Sequence, residues 1–254
     1  MMPARHLVSM VALVGVSVAG AASVEIHPAG PTVPENLLRI ELRFEQPQRL
    51  PFDIARLKLL DANGREVQHA LLDLTLPSAD GRRITVLMDP GRVKSGVGPN
   101  LDAGRALQEG STVSLRLVGI DAAQPPVVKT WQVTAAASRP LRPEAWKLAL
   151  PRRDSRDALV VDMQVPISSV GEALIAVVDG HGRRVDGTTS LAEGDATWRF
   201  TPSRPWAAGT HRLVTHPDLE DPAGNRRCAA FETSIQLTSP CEGTSLAFTP
   251  TSAS

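Results

Sequence analysis

Apolar and polar residues alternate with period two along most of this chain. Leu38, Ile40, Leu42 and Phe44 are separated by Arg39, Glu41 and Arg43, which turns one face of a strand inward and the other to solvent. The same alternation recurs at Ile84, Val86 and Met88, at Val113, Leu115 and Leu117, and through Val128, Thr130 and Gln132. In the second half it returns from Leu159 to Val165, from Ile175 to Val178, at Trp198-Arg199-Phe200 and from Ala230 to Leu237. Turn-forming clusters separate the runs: Ala62-Asn63-Gly64, Ala79-Asp80-Gly81, Gly180-His181-Gly182, Glu193-Gly194-Asp195 and Pro222-Ala223-Gly224-Asn225. Short strands between such turns predict an all-β chain of antiparallel sandwich type.

The pattern is also written twice. Leu57-Lys58-Leu59-Leu60-Asp61-Ala62-Asn63-Gly64-Arg65-Glu66-Val67 returns as Ile175-Ala176-Val177-Val178-Asp179-Gly180-His181-Gly182-Arg183-Arg184-Val185. Upstream, the run from Ile40 to Pro47 matches Leu159 to Pro166; downstream, Ala106 to Ser111 matches Pro205 to Thr210. Three matches in one order predict two copies of one fold, the first carrying about nineteen extra residues between Asp89 and Arg105. The expected division is a leader over 1–22, a first sandwich over 23–136 with a long Gly/Pro loop at 89–105, and a linker over 137–146. A second sandwich follows over 147–237, and a Ser/Thr/Pro-rich, poorly ordered tail over 238–254.

The leader reading rests on Arg5 and His6, the apolar stretch from Leu7 to Val18, and the small residues Ala19-Gly20-Ala21. That order predicts a cleaved secretion signal, hence export to the periplasm or the medium. The apolar stretch falls short of the roughly 20 residues that span a bilayer, and no later segment is apolar enough, so no span is expected in the mature chain.

Charge then narrows the class of partner. Lys and Arg total 27 against 27 Asp and Glu, so no electrostatic footprint calls for nucleic acid. A protein partner or envelope component is expected instead. Tyr is absent and only four Trp and five Phe remain, most in strand-core positions, which leaves little for stacking on sugar rings.

Cys228 and Cys241 fit an oxidising compartment. Their pairing stays open in the sequence. A straight strand from Ala230 to Leu237 would carry the chain about 25 Å from Cys228, and four residues cannot return that far. Either the strand bends near Ser234, or the two do not bond within the chain.

The second half resembles the surface-layer type of bacterial Ig-like domain. The likeness is carried by Asp179-Gly180-His181-Gly182, Trp198-Arg199-Phe200-Thr201-Pro202, Trp206-Ala207-Ala208-Gly209-Thr210 and Asp221-Pro222-Ala223-Gly224-Asn225. Trp206 and His211 stand where that family has Leu and Tyr. The first half matches more weakly, its closing turn reading Asp121-Ala122-Ala123-Gln124. The resemblance implies tandem seven-stranded sandwiches on exported proteins, without catalytic residues; a fold alone carries no chemistry.

Nucleophile-elbow, zinc-helix, Cys-x-x-Cys and Walker patterns are absent from the sequence, so no catalytic residue, cofactor or metal ligand is assigned and no enzyme is expected. His211 and His216 are five apart and would face opposite sides of a strand. The acidic run Asp218-Leu219-Glu220-Asp221 with Asn225 has oxygens at loop spacing, although Asp221 and Asn225 also suit a plain turn. The insertion holds Arg92 and Lys94 among Gly and Pro, a candidate anion or partner loop. The leading expectation is a non-enzymatic spacer, scaffold or interaction unit of the cell envelope. The alternatives are a periplasmic copper-carrier-like protein, with His27 near the mature start, and an accessory domain of an extracellular complex.

Overall fold

The computed structural model describes residues 23–94, 98–120, 125–230 and 241–252; the leader assigned to 1–22 lies outside them. Fifteen strands are present among the described residues, with two short helices, and they divide into four sheets.

The first copy begins with β1 (Val24–His27), β2 (Thr32–Pro34), β3 (Arg39–Phe44) and β4 (Leu57–Leu60). It continues with β5 (Leu71–Pro77), β6 (Arg83–Met88), β7 (Thr112–Leu117) and β8 (Val127–Thr134). One sheet runs β1-β3-β6-β5 and the other β2-β8-β7-β4. In immunoglobulin lettering these are A-B-E-D and A′-G-F-C. All neighbours are antiparallel except β2 and β8, which run parallel. Ile40, Leu42, Ile84, Val86 and Met88 from one sheet meet Leu115, Leu117 and Trp131 from the other in a single core.

The second copy repeats the plan with β9 (Lys147–Ala149), β10 (Leu159–Asp162), β11 (Ile175–Val178), β12 (Gly187–Ala192), β13 (Thr197–Pro202), β14 (His211–Thr215) and β15 (Ser245–Phe248). Its sheets are β12-β13-β10-β9 and β11-β14-β15, the D-E-B-A and C-F-G order of a seven-stranded Ig-like sandwich. The chain is therefore two Ig-like β-sandwiches in tandem. The second core is aromatic: Trp206 meets Phe200 and Phe248 edge-on with ring centres 5.8 Å apart, and its indole N–H donates to Asp157 O at 2.8 Å. An edge-to-face arrangement sets the positive rim of one ring against the negative face of the next.

Two expectations are corrected and a third is left untested. The Ser/Thr/Pro-rich end is no loose tail, because β15 pairs with β14 from His211↔Phe248 to Val214↔Ser245, and Thr251 N donates to Pro151 O at 2.9 Å. Phe248 is buried there, so the sandwich closes only through a segment whose composition reads as tail. The 89–105 loop contains α1 (Pro90–Val93) and α2 (Gly98–Ala103); Asp89 caps α1 by accepting from Gly91 N at 2.7 Å. The strand expected over Ala230 to Leu237 falls almost wholly outside the described residues.

The repeat is exact at the level of its turns. Asp61 Oδ1 accepts from Asn63 N and Arg65 N at 2.8 and 2.9 Å. Asp179 Oδ1 accepts from His181 N and Arg183 N at 2.9 and 3.0 Å. These backbone donors hold both carboxyls below their ordinary value, led by Arg65 N and Arg183 N. Asp221 makes the same turn a third time, accepting from Ala223 N and Asn225 N, but in a different place: between the sandwiches.

Candidate functional site

The alternation of β3 predicts Arg39, Glu41 and Arg43 on a solvated face. They lie on that face, but the second sandwich covers it. Glu41 is 2% exposed. Its carboxylate accepts from the Ser168 and Ser169 hydroxyls and from Val170 N. Arg43 donates to Glu172 Oε2 at 3.1 Å and Ser169 O at 2.8 Å. Arg39 pairs with Glu220 at 2.5 Å. The segments that reach across, 168–172, 193–195 and 220–225, follow β10, β12 and β14. They are therefore the B–C, D–E and F–G loops, which share one end of such a sandwich.

At the centre sits His27, buried on β1 beside Glu41. Its Nδ1 lies 2.9 and 3.0 Å from the two oxygens of Asp195, and Asp195 Oδ2 also accepts from Ala29 N at 2.7 Å. Asp195 is 2% exposed and holds φ at 70°, an uncommon conformation for a residue other than Gly. Gly194 before it has φ 69° and stands so close to the first sandwich that a Cβ would meet Gly30 Cα at 2.8 Å. His27, Arg39, Glu41, Ser168 and Asp195 enclose a void of about 10 Å³, the space of about one water.

The linker is held from both sides. Ala137 exchanges two hydrogen bonds with the Asn36 side chain, each 2.9 Å, and its carbonyl accepts a third from Asn225 Nδ2 at 2.8 Å. Asn225 Nδ2 also reaches Asp221 Oδ2. Burial pushes the Asp221 carboxyl up to about 6 although these Asn225 and Ala223 donors favour the charged form. Leu38 N donates to Pro222 O at 2.9 Å. An open groove of about 680 Å³ runs beside the linker, lined by Val33, Ala137, Trp146, Val165 and Pro222 among others.

The sequence-predicted residues fall elsewhere. Arg92 is buried and donates to Gly104 O at 2.8 Å and to Gln68 O. Its guanidinium fastens the crossover, and Lys94 is exposed at the end of α1. Cys228 and Cys241 are bonded, with Cα atoms 5.8 Å apart. The acidic run scatters: Asp218 pairs with Arg226, Glu220 with Arg39, and Asp221 caps its own turn. His211 lies in the core, stacked on Phe248 and edge-on to Trp206, His216 is exposed beside Asp218, and His27 is bonded to Asp195. Among the described residues no group of three His, Cys, Asp or Glu is placed to hold a metal ion, and no helix is long and apolar enough to cross a membrane. The junction was missed because β3 alternates like any half-exposed strand. The one available signal was Glu41 flanked by two Arg, on a strand whose partner β1 contributes a His.

No family model matches the chain, and no curated protein matches it. Among solved structures it is similar to the N-terminal Ig1-2 module of the Drosophila receptor protein tyrosine phosphatase DLAR, at 11% identity over 91% of this chain and 99% of that one, with a TM-score of 0.26. It is also similar to the I67-I69 I-band fragment of titin, at 9% identity over 84% of this chain and 59% of that one, TM-score 0.23. A third likeness is to the pullulanase SAP of Group B Streptococcus, at 12% identity over 77% of this chain and 22% of that one, TM-score 0.24. Likenesses this distant carry no weight for function, and the two-sandwich description stands on the sheet order itself.

Proposed function

We propose that this chain is a non-enzymatic exported module whose two sandwiches are clamped into one rigid body, serving as a spacer, scaffold or interaction unit of the cell envelope. The observation that carries this reading is the junction. A flexible tandem leaves its facing surfaces hydrated, whereas Glu41, Asp195, Glu220 and Asp221 are each under a tenth exposed and bonded across or along the interface. Buried carboxylates persist only when their partners are held in place. Export is supported by the basic start, the apolar stretch from Leu7 to Val18 and the Cys228–Cys241 bond, which suits an oxidising compartment. The finer kinship, with the surface-layer type of Ig-like domain, is supported by the Asp221-Pro222-Ala223-Gly224-Asn225 turn seated in the junction.

Fractionation of cells making the full-length chain tests export, with the amino terminus read by mass spectrometry. The expected product lies outside the cytoplasm and starts near Ala22, its two cysteines resistant to alkylation. An intact leader on a reduced cytosolic chain overturns the proposal. Small-angle scattering tests the clamp: the profile should match one fixed arrangement rather than an ensemble of bends.

A further inference from the structure

The junction buries one imidazole, that of His27, among carboxylates contributed by both sandwiches. The geometry points to a proton-fastened latch: His27 clamps the two sandwiches when both ring nitrogens carry a proton, and the clamp loosens as the second proton leaves. This rests on the reading of the sandwiches as one clamped body.

Three carboxylates surround the ring. Asp195, from the second sandwich, takes Nδ1 on both of its oxygens. Glu25, two residues back on β1, stands 3.8 Å from Nε2. Glu41 is the cross-strand partner of His27 on β3. The other charged groups facing the void and its rim are already engaged: Arg39 with Glu220, and Arg43 with Glu172. From the second sandwich the segment 168–170 contributes hydroxyls and an N–H to Glu41, and Pro222 lines the void, preceded in the chain by Glu220 and Asp221.

With a single proton on Nδ1, the ring still donates to Asp195, but Nε2 is left buried without a hydrogen-bond partner. An unsatisfied buried polar atom costs free energy. With the second proton, Nε2 carries charge 3.8 Å from Glu25 Oε2, and the buried Asp195 gains a full positive charge across the interface. Charge-assisted hydrogen bonds of this kind are about twice as strong as neutral ones. The clamp therefore tightens in mild acid and slackens in mild alkali.

The test uses the full mature chain with spin labels at Arg116→Cys and Thr188→Cys, both exposed and one on each sandwich. Electron–electron distances are measured at about pH 5.5 and about pH 8.5, either side of the usual imidazole range. The expected result is a narrow distribution in acid that broadens or shifts in alkali, following the His27 ring nitrogen shifts seen by NMR. His27→Asn keeps an N–H toward Asp195 but cannot gain a charge, and should abolish the change. Both chains carry Asp221→Asn, which removes the other group titrating in this range. An unchanged narrow distribution at both pH values overturns the latch and leaves the clamped body standing; a broad distribution at both overturns the two together. A pH response that persists in His27→Asn, or one that does not follow the His27 ring, also overturns the latch.

Discussion

Asn36 and Asn225, one from each sandwich, donate to the same acceptor, the carbonyl oxygen of Ala137. Both side chains are essentially fully buried, at 1% and 0% exposed. The linker is thus a third layer of the junction rather than a tether, and its path is set by amides reaching it from both sides.

Asn36→Ala should cost about 2–3 kcal/mol in denaturant unfolding, because Ala137 loses a donor and an acceptor at once in a buried setting. Asn225→Ala should cost a similar amount, since Asp221 loses a donor as well. The double variant should exceed the sum, because only the loss of both amides leaves the Ala137 carbonyl without a side-chain donor. Strict additivity would mean that the shared carbonyl does not couple them.

Asp221 sets a pH dependence. Its folded value of about 6 lies above the ordinary 3.8, so between those values the folded chain holds a proton that the unfolded chain has released. The stability from this group is fully present below about pH 4 and is lost as pH rises through 6. The loss is on the order of 3 kcal/mol at most. In Asp221→Asn this component should vanish. Difference curves of unfolding free energy from pH 4 to 7 read it directly, and parallel curves would refute it.

The disulfide closes a loop of sequence separation 13 next to β15, the strand that completes the second sandwich. Reduction, or Cys228→Ser, should lower stability by about 3 kcal/mol through the freed unfolded chain. The signal of Trp206, which touches Phe248 on β15, should change first on heating. Coincident melting of both sandwiches with and without reductant would contradict this.

Gly194→Ala separates backbone conformation from contact. Its φ of 69° costs an L-residue about 1–2 kcal/mol wherever it occurs, and the added methyl must also displace Gly30. Gly64→Ala has a similar φ of 75° and open space around it, so it should show the conformational cost alone. The excess at Gly194 measures the junction, and small-angle scattering should show a larger radius for that variant only.

Much of the fold was legible because alternation is a local property: Ile40, Leu42 and Phe44 point inward whatever lies on their other side. The Asp-x-x-Gly turns were equally plain, since each is satisfied by its own backbone. The hidden parts depend on distant neighbours. Glu41 reads as solvated until the B–C loop of the second copy arrives 127 residues later. β15 reads as tail because Ser245 and Ala247 face outward and only Leu246 and Phe248 carry the core side. Arg92 reads as a free cation because its acceptors, Gly104 O and Gln68 O, belong to backbone that no residue type reveals.

Sandwiches of this kind carry at one end a crown of loops, the usual place for contact with other molecules. In the second copy that crown is pressed against its own neighbour through Ser169, Asp195 and Glu220. The corresponding tips of the first copy, around Gln46, Arg49 and Asp80, are exposed. A molecule built twice from one plan has turned one set of fingertips inward to grip itself, and these tips of the other stay open to solvent.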